Sequence, residues 1–334
     1  MGDPNALQWD GRPGHYEVYY LSATDRGSGC GLWIRYTMVA PLNGDATCSL
    51  WFMAMDPRDG GLVGRKHTGP ADDLTAIADP FELRIGDAVL TDRGMTGGFD
   101  DVSWDVRWEA RVPPAEPVHP VLRKAKVAKT ILLLPHPAFE VQGTVAFDGR
   151  TIELAGARGG QAHLWGSKHA ARWAWAHCND FEGIDGSPRP DAWIDGVSVF
   201  VPRFGRGEIG PSTPVVGRFA GEDFASTSPL RVTRNDSRFG LTSWRLEALD
   251  GKRKVVVDVD APRDRLVGVT YTDPDGDLAY CYNSEVASMH VRVWERDRSV
   301  QEGWRLLDEL ASAGRAHFEY AQREPVPGLE LQVT

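Results

Sequence analysis

The side chains best suited to chemistry crowd into one segment, Gln161 to Phe181, which reads QAHLWGSKHAARWAWAHCNDF. Successive side chains of a strand point to opposite faces, so His163 and Trp165 share a face. After a short turn over 166–172, a second strand places Trp173, Trp175, His177, Asn179 and Phe181 on one face. Its other face, Arg172, Ala174, Ala176, Cys178 and Asp180, is mostly small. An aromatic wall carrying imidazole, indole N–H and amide groups suits an apolar ligand that must also be oriented. The competing reading is a structural core in which each buried His or Asn is satisfied by a neighbour. Two His and an Asn among large aromatics make a costly core unless every polar atom is paired, which favours the pocket.

Other chemical signatures are missing. The phosphate-binding loop, HExxH, GxSxG and GxGxxG patterns are absent from the chain. Cys30, Cys48, Cys178 and Cys281 form no CxxC pair and no metal-ligand spacing. They are expected free and mostly buried, a Cys30–Cys48 bridge being the alternative. No metal and no organic cofactor are expected. Asp273-Pro-Asp-Gly-Asp277 lacks the later ligands of a calcium loop and reads as a hairpin turn.

The elements that must position these residues are mostly strands. The 22 Pro and 36 Gly are spread along 334 residues, as suits many short strands, and the length allows two domains. Candidate strands run from Tyr16 to Leu154, ending in a hairpin whose turn is Asp148-Gly149. They resume from Val215 to Arg323, with Leu230–Arg234 among them. The Gly- and Pro-rich stretch GRGEIGPSTP between them reads as a linker, giving domains over 1–205 and 206–334. Short helical patches are expected at Asp72–Ala78 and Ser167–Arg172. A longer C-terminal helix is expected over 299–313, where Trp304, Leu307, Leu310 and Ala311 recur at helical spacing before Gly314. The fold class is therefore mainly β, two antiparallel barrels with one C-terminal helix, since closure removes exposed edges. A net charge of −10 argues against nucleic acid or an anionic membrane as partner. No membrane-length apolar run and no signal peptide are visible, so a cytoplasmic location is expected.

His163-Leu-Trp-Gly166 followed by Trp173-Ala-Trp175 resembles the H-x-W-G…W-x-W pattern of the carotenoid 1,2-hydratase (hydroxyneurosporene synthase) family, which the lipocalin-like Diels–Alderases of polyketide pathways share. Gly14-His-Tyr-Glu-Val-Tyr-Tyr20, Gly31-Leu-Trp-Ile-Arg-Tyr-Thr37 and Ser49-Leu-Trp-Phe52 are similar to that group's opening strands. The resemblance implies two lipocalin-like barrels and a cavity that hydrates an isoprenoid double bond or folds a polyene for cyclisation. It implies pocket roles for His163 and Trp165, with Trp173 and Trp175 shaping the wall. No acidic proton donor in the chain matches by motif.

The leading reading is a cofactor-independent enzyme acting on an apolar isoprenoid- or polyketide-like small molecule. Alkene hydration needs a general acid whose pKa is raised by a dry site, and aromatic faces that stabilise a carbocation. Asp180, Glu182, Asp191 and Asp195 are the candidate donors, with His163 or His177 relaying the proton; Asp180 alternates away from the Trp face. His163, His177 and Asp191 form the expected catalytic set. Trp165, Trp173, Trp175, Asn179 and Phe181 form the expected substrate-binding set. A non-catalytic carrier or sensor of a lipid-like ligand is the alternative, and a structural protein with self-filled barrels is a third. A carboxylate inside the cavity separates enzyme from carrier.

Overall fold

Runs such as Tyr-Glu-Val-Tyr-Tyr and Val-Val-Val-Asp-Val, rich in β-branched and aromatic residues, pair into ladders wherever Gly, Pro or Asp turns them back. The computed structural model describes residues 3–58, 60–124, 129–202 and 207–334. Strands from His15 to Gly166 form an 11-stranded sheet, and strands from Arg172 to Val333 a 13-stranded one. One of the two is a nearly closed barrel. The fold is mainly antiparallel β in two large sheets, as expected, with Val267–Thr272 running parallel to Leu331–Val333.

Both sheets are joined up in the same way. The first strand, His15–Thr24, pairs with the distant Arg150–Gly166. Likewise Arg172–Cys178, first in the second sheet, pairs with Trp304–Gln322. Asp148 (φ 50°) and Gly149 (φ 70°) form the expected turn between Thr130–Phe147 and Arg150–Gly166. Each sheet encloses its own core, with Ile34, Phe52 and Trp104 in the first and Phe219, Trp244 and Phe318 in the second. A third cluster, including Tyr20, Trp33, Trp173 and Trp175, lies where the sheets face each other. Along Arg172–Cys178, Ala174 and Ala176 enter the second core while Trp173 and Trp175 look toward the first sheet.

Several expectations are corrected. No helix occupies 299–313: Trp304–Gln322 is one long strand paired with Leu278–Arg296, and a turn over 297–303 joins them. Cross-strand pairing overrides the weak helical spacing there. Gly314 (φ 66°) sits where the ladder slips register instead of capping a helix. Asp72–Ala78 is a 3-10 turn over Ala71–Asp73 followed by the strand Leu74–Ala78, and 167–171 is an irregular crossover. Leu230–Arg234, expected as a strand, lies largely in the short helix Pro229–Val232. The boundary expected at 205/206 falls on residues outside those described. Beyond it Glu208–Ser212 pairs with Trp193–Pro202, and the chain crosses between sheets at 167–171. All four cysteines are free and buried. No described helix is long and apolar enough to cross a membrane.

Candidate functional site

A cavity of about 560 Å³ opens between the two sheets, a size typical of small-ligand sites. Tyr20, Trp33, Arg35 and Leu132 line it from the first sheet; Trp173, Trp175, Tyr271 and Glu319 line it from the second. His169, on the crossover, completes it. The rings of Tyr20 and Trp175 meet edge to face across the sheets, with centroids 5.5 Å apart.

Glu319 is the cavity's carboxylate. It lies opposite Trp175 in the ladder, and its side chain accepts a hydrogen bond from Trp173 Nε1. Burial pushes its pKa above the ordinary 4.5, against the opposing effects of the Trp173 N–H and the Arg35 charge. The carboxyl group is therefore biased toward its neutral, proton-donating form.

The same cavity holds a base. His169 Nδ1 lies 2.6 Å from Asp273 Oδ1, and the His169 backbone N–H donates to the same oxygen at 2.9 Å. Arg323 Nη1 donates to Asp273 Oδ2 at 2.7 Å. Burial raises the Asp273 pKa, but the contacts from His169 and Arg323 outweigh it and hold the group below its usual value, as a carboxylate. An ionised Asp273 only accepts, so His169 donates from Nδ1, leaving the Nε2 lone pair free in the neutral ring. Burial lowers the His169 pKa below 6.5, against the pull of Asp273. The imidazole stacks on Tyr16 at 4.4 Å, Trp173 at 5.4 Å and Tyr271 at 5.5 Å. Trp173 thus touches both groups, its N–H holding the acid and its face packing on the base.

Of the residues expected from the sequence, Trp173 and Trp175 line the cavity. His163 does not. It is fully buried in the first sheet, 2.8 Å from Glu17 Oε1 and 2.7 Å from the Pro4 carbonyl, and stacked on Tyr19 at 4.1 Å. Glu17 also accepts from Gln8 N, Trp9 N and Tyr19 OH. Burial opposes its ionisation, but hydrogen bonds from His15 and His163 take its pKa down to about 2. Together with Gln161 bonded to Asn5, this network fastens the N-terminal segment to the sheet. Trp165 packs on His163 at 4.8 Å, away from the cavity.

The remaining expected residues are dispersed. His177 is buried 3.5 Å from Asp195, whose Oδ2 accepts from Trp175 Nε1 at 2.9 Å. Both border a separate space of about 10 Å³ behind Tyr20. Asn179 donates to the Gly159 and Phe139 carbonyls, bracing one sheet against the other. Phe181 lies in the second core, and Asp191 is exposed on a loop. Asp180 is held by Arg26 and Arg315, and Glu182 by Arg315. None of the four candidate donors lines the large cavity. Glu319, His169 and Arg35 were not singled out by the sequence. The available signal was a charge on an apolar strand, Arg35 within GLWIRYTMVA and Glu319 beside Phe318.

No protein-family model matches the chain. Two Mycobacterium tuberculosis proteins, uncharacterized protein MT0513 (strain CDC 1551 / Oshkosh) and uncharacterized protein Rv0493c (strain ATCC 25618 / H37Rv), are each 28% identical to it over 293 residues, 88% of this chain and 85% of theirs. Among solved structures, CghA aligns with a TM-score of 0.60 at 11% identity, covering 96% of this chain and 92% of CghA. A candidate AttH from Nitrosomonas europaea gives 0.55 at 14%, covering 93% of each chain. Kievitone hydratase from Nectria haematococca gives 0.52 at 9%, covering 93% and 89%. The chain has their lipocalin-like fold. At such identities the likeness is one of architecture alone.

Proposed function

We propose that the protein is an enzyme that protonates a carbon–carbon double bond in an apolar isoprenoid- or polyketide-like small molecule, adding water or closing a ring. Its own side chains serve as acid and base, without a cofactor. The observation that carries this reading is Glu319, a carboxyl group biased toward its neutral form inside a cavity of ligand size. A carrier has no use for such a group. In hydration, the Glu319 O–H gives its proton to one alkene carbon, leaving a carbocation at the other. Water attacks that carbon while His169 Nε2 takes the water's proton, and solvent exchange returns a proton from His169 to Glu319. The faces of Trp173 and Trp175 stabilise the cation. In cyclisation the same walls hold the ligand folded, and hydrogen bonds that strengthen in the transition state lower the barrier. That one protein of this fold is named a hydratase agrees with the reading.

The test is to incubate prenyl-bearing alkenes, both as alcohols (geraniol through geranylgeraniol) and as the matching carboxylic acids, with the protein in D₂O and follow water or deuterium gain by mass spectrometry. Glu319→Gln should lower turnover by about 10²-fold or more, the usual weight of a general acid, with retinol still quenching Trp emission. Turnover that survives Glu319→Gln removes Glu319 as donor. Binding by the whole panel without any reaction favours the carrier.

A further inference from the structure

The strand Gly31–Ala40 buries nearly all of its side chains and carries one charge, Arg35. Arg35 is 6% exposed and lines the cavity. Its guanidinium carbon lies 4.3 Å from the Tyr271 ring centroid, 5.3 Å from Trp33 and 5.6 Å from Trp51. Among the described residues its side chain forms no hydrogen bond and no ion pair, and Nε is buried without a partner. Arg253, 7% exposed, shows the ordinary solution: it bonds Asp250 and the carbonyls of Glu222 and Asp223. A buried cation left unpaired is costly, and aromatic faces offset only part of that cost. The nearby carboxylates are otherwise engaged, Asp273 by His169 and Arg323, and Glu319 by Trp173.

We propose that Arg35 receives a carboxylate of the ligand in its planar two-donor fork. The substrate is then an amphiphilic acid, its carboxylate in the Trp33–Tyr271 cage and its apolar body along Trp173 and Trp175. This rests on the cavity being the ligand site and is independent of which reaction follows.

All-trans retinoate and retinol share one polyene body and differ at the head, so Trp quenching by each at about pH 8 reads the head alone. About 0.5 M NaCl suppresses attraction by the outer cations Lys129 and Lys168. Retinoate should bind the native protein about tenfold or more tighter than retinol, as a charge-assisted bidentate contact implies. Arg35→Met should reduce that preference to about twofold or less with retinol affinity retained. Should Arg35→Met not fold, Arg35→Lys decides, because an ammonium cannot make the planar paired contact and the preference should fall severalfold. Equal affinities in the native protein, or a preference that survives the substitution, overturns the proposal. Failure of both retinoids to bind removes the cavity reading and this inference together, a result distinct from lost preference.

Discussion

Trp173 couples the two groups on which the chemistry depends, and burial drives them in opposite directions. Glu319 is pushed above 4.5 and His169 below 6.5, so the pairing of a neutral acid with a neutral base gains population over the reverse. The rate should rise with pH as His169 loses its proton and fall as Glu319 loses its own. Burial outweighs Asp273 at His169, but Asp273 still raises that pKa. Asp273→Asn should therefore move the rising limb of kcat/KM to lower pH and leave the falling limb in place. A rising limb that stays put would assign it to another group. The two Trp of the wall were legible because strand alternation fixes which residues share a face. His163 and Trp165 were not, because alternation does not carry across the 167–171 crossover into another sheet. Glu319 and Arg35 are far from that motif in sequence, and only the pairing of strands brings them to it.

Strand identity was readable where alternation was strong, as in Phe81–Ile85 and Ser243–Leu249. It failed where Gly and polar residues dilute the pattern, as in Gly61–Pro70 and Gly94–Phe99. Thr130–Phe147 reads as two strands because Pro135 and Pro137 interrupt it, yet the ladder absorbs them at register shifts. Gly314 explains the misplaced helix. A positive φ suits a helix C-cap and a bulge alike, and local sequence does not separate them. Gly314→Ala puts a Cβ into open space, its nearest atom being Val286 O at 3.9 Å, so the cost is conformational, about 1–2 kcal/mol. The urea midpoint should drop with unchanged slope, and retinoid affinity per folded molecule should stay the same. A loss of affinity would mean that the bulge sets the placement of Glu319.

At the scale of the whole molecule, each sheet wraps a core of its own side chains and the cavity lies between the two sheets. Neither sheet holds the site alone, so its geometry depends on how closely the sheets approach. Gly31 and Glu285 fix that distance at one point. Thr24 Oγ1 donates to the Glu285 carbonyl at 3.3 Å, and Glu285 Oε2 is hydrogen-bonded by His317 Nδ1. A Cβ at position 31 would stand 2.6 Å from Glu285 Cβ and closer still to its carbonyl oxygen. Backbone cannot rotate aside as a side chain does, so the sheets must part. Gly31→Ala should cost about 1–3 kcal/mol, in the range of an overpacked core. The two walls should shift with it, moving Trp33 and Arg35 relative to Trp173 and Glu319. Retinol affinity per folded molecule should therefore fall along with the melting temperature, in contrast to Gly314→Ala, which changes stability alone. A Gly31→Ala protein that melts earlier but binds retinol as before would show the cavity to be insensitive to the spacing of the sheets.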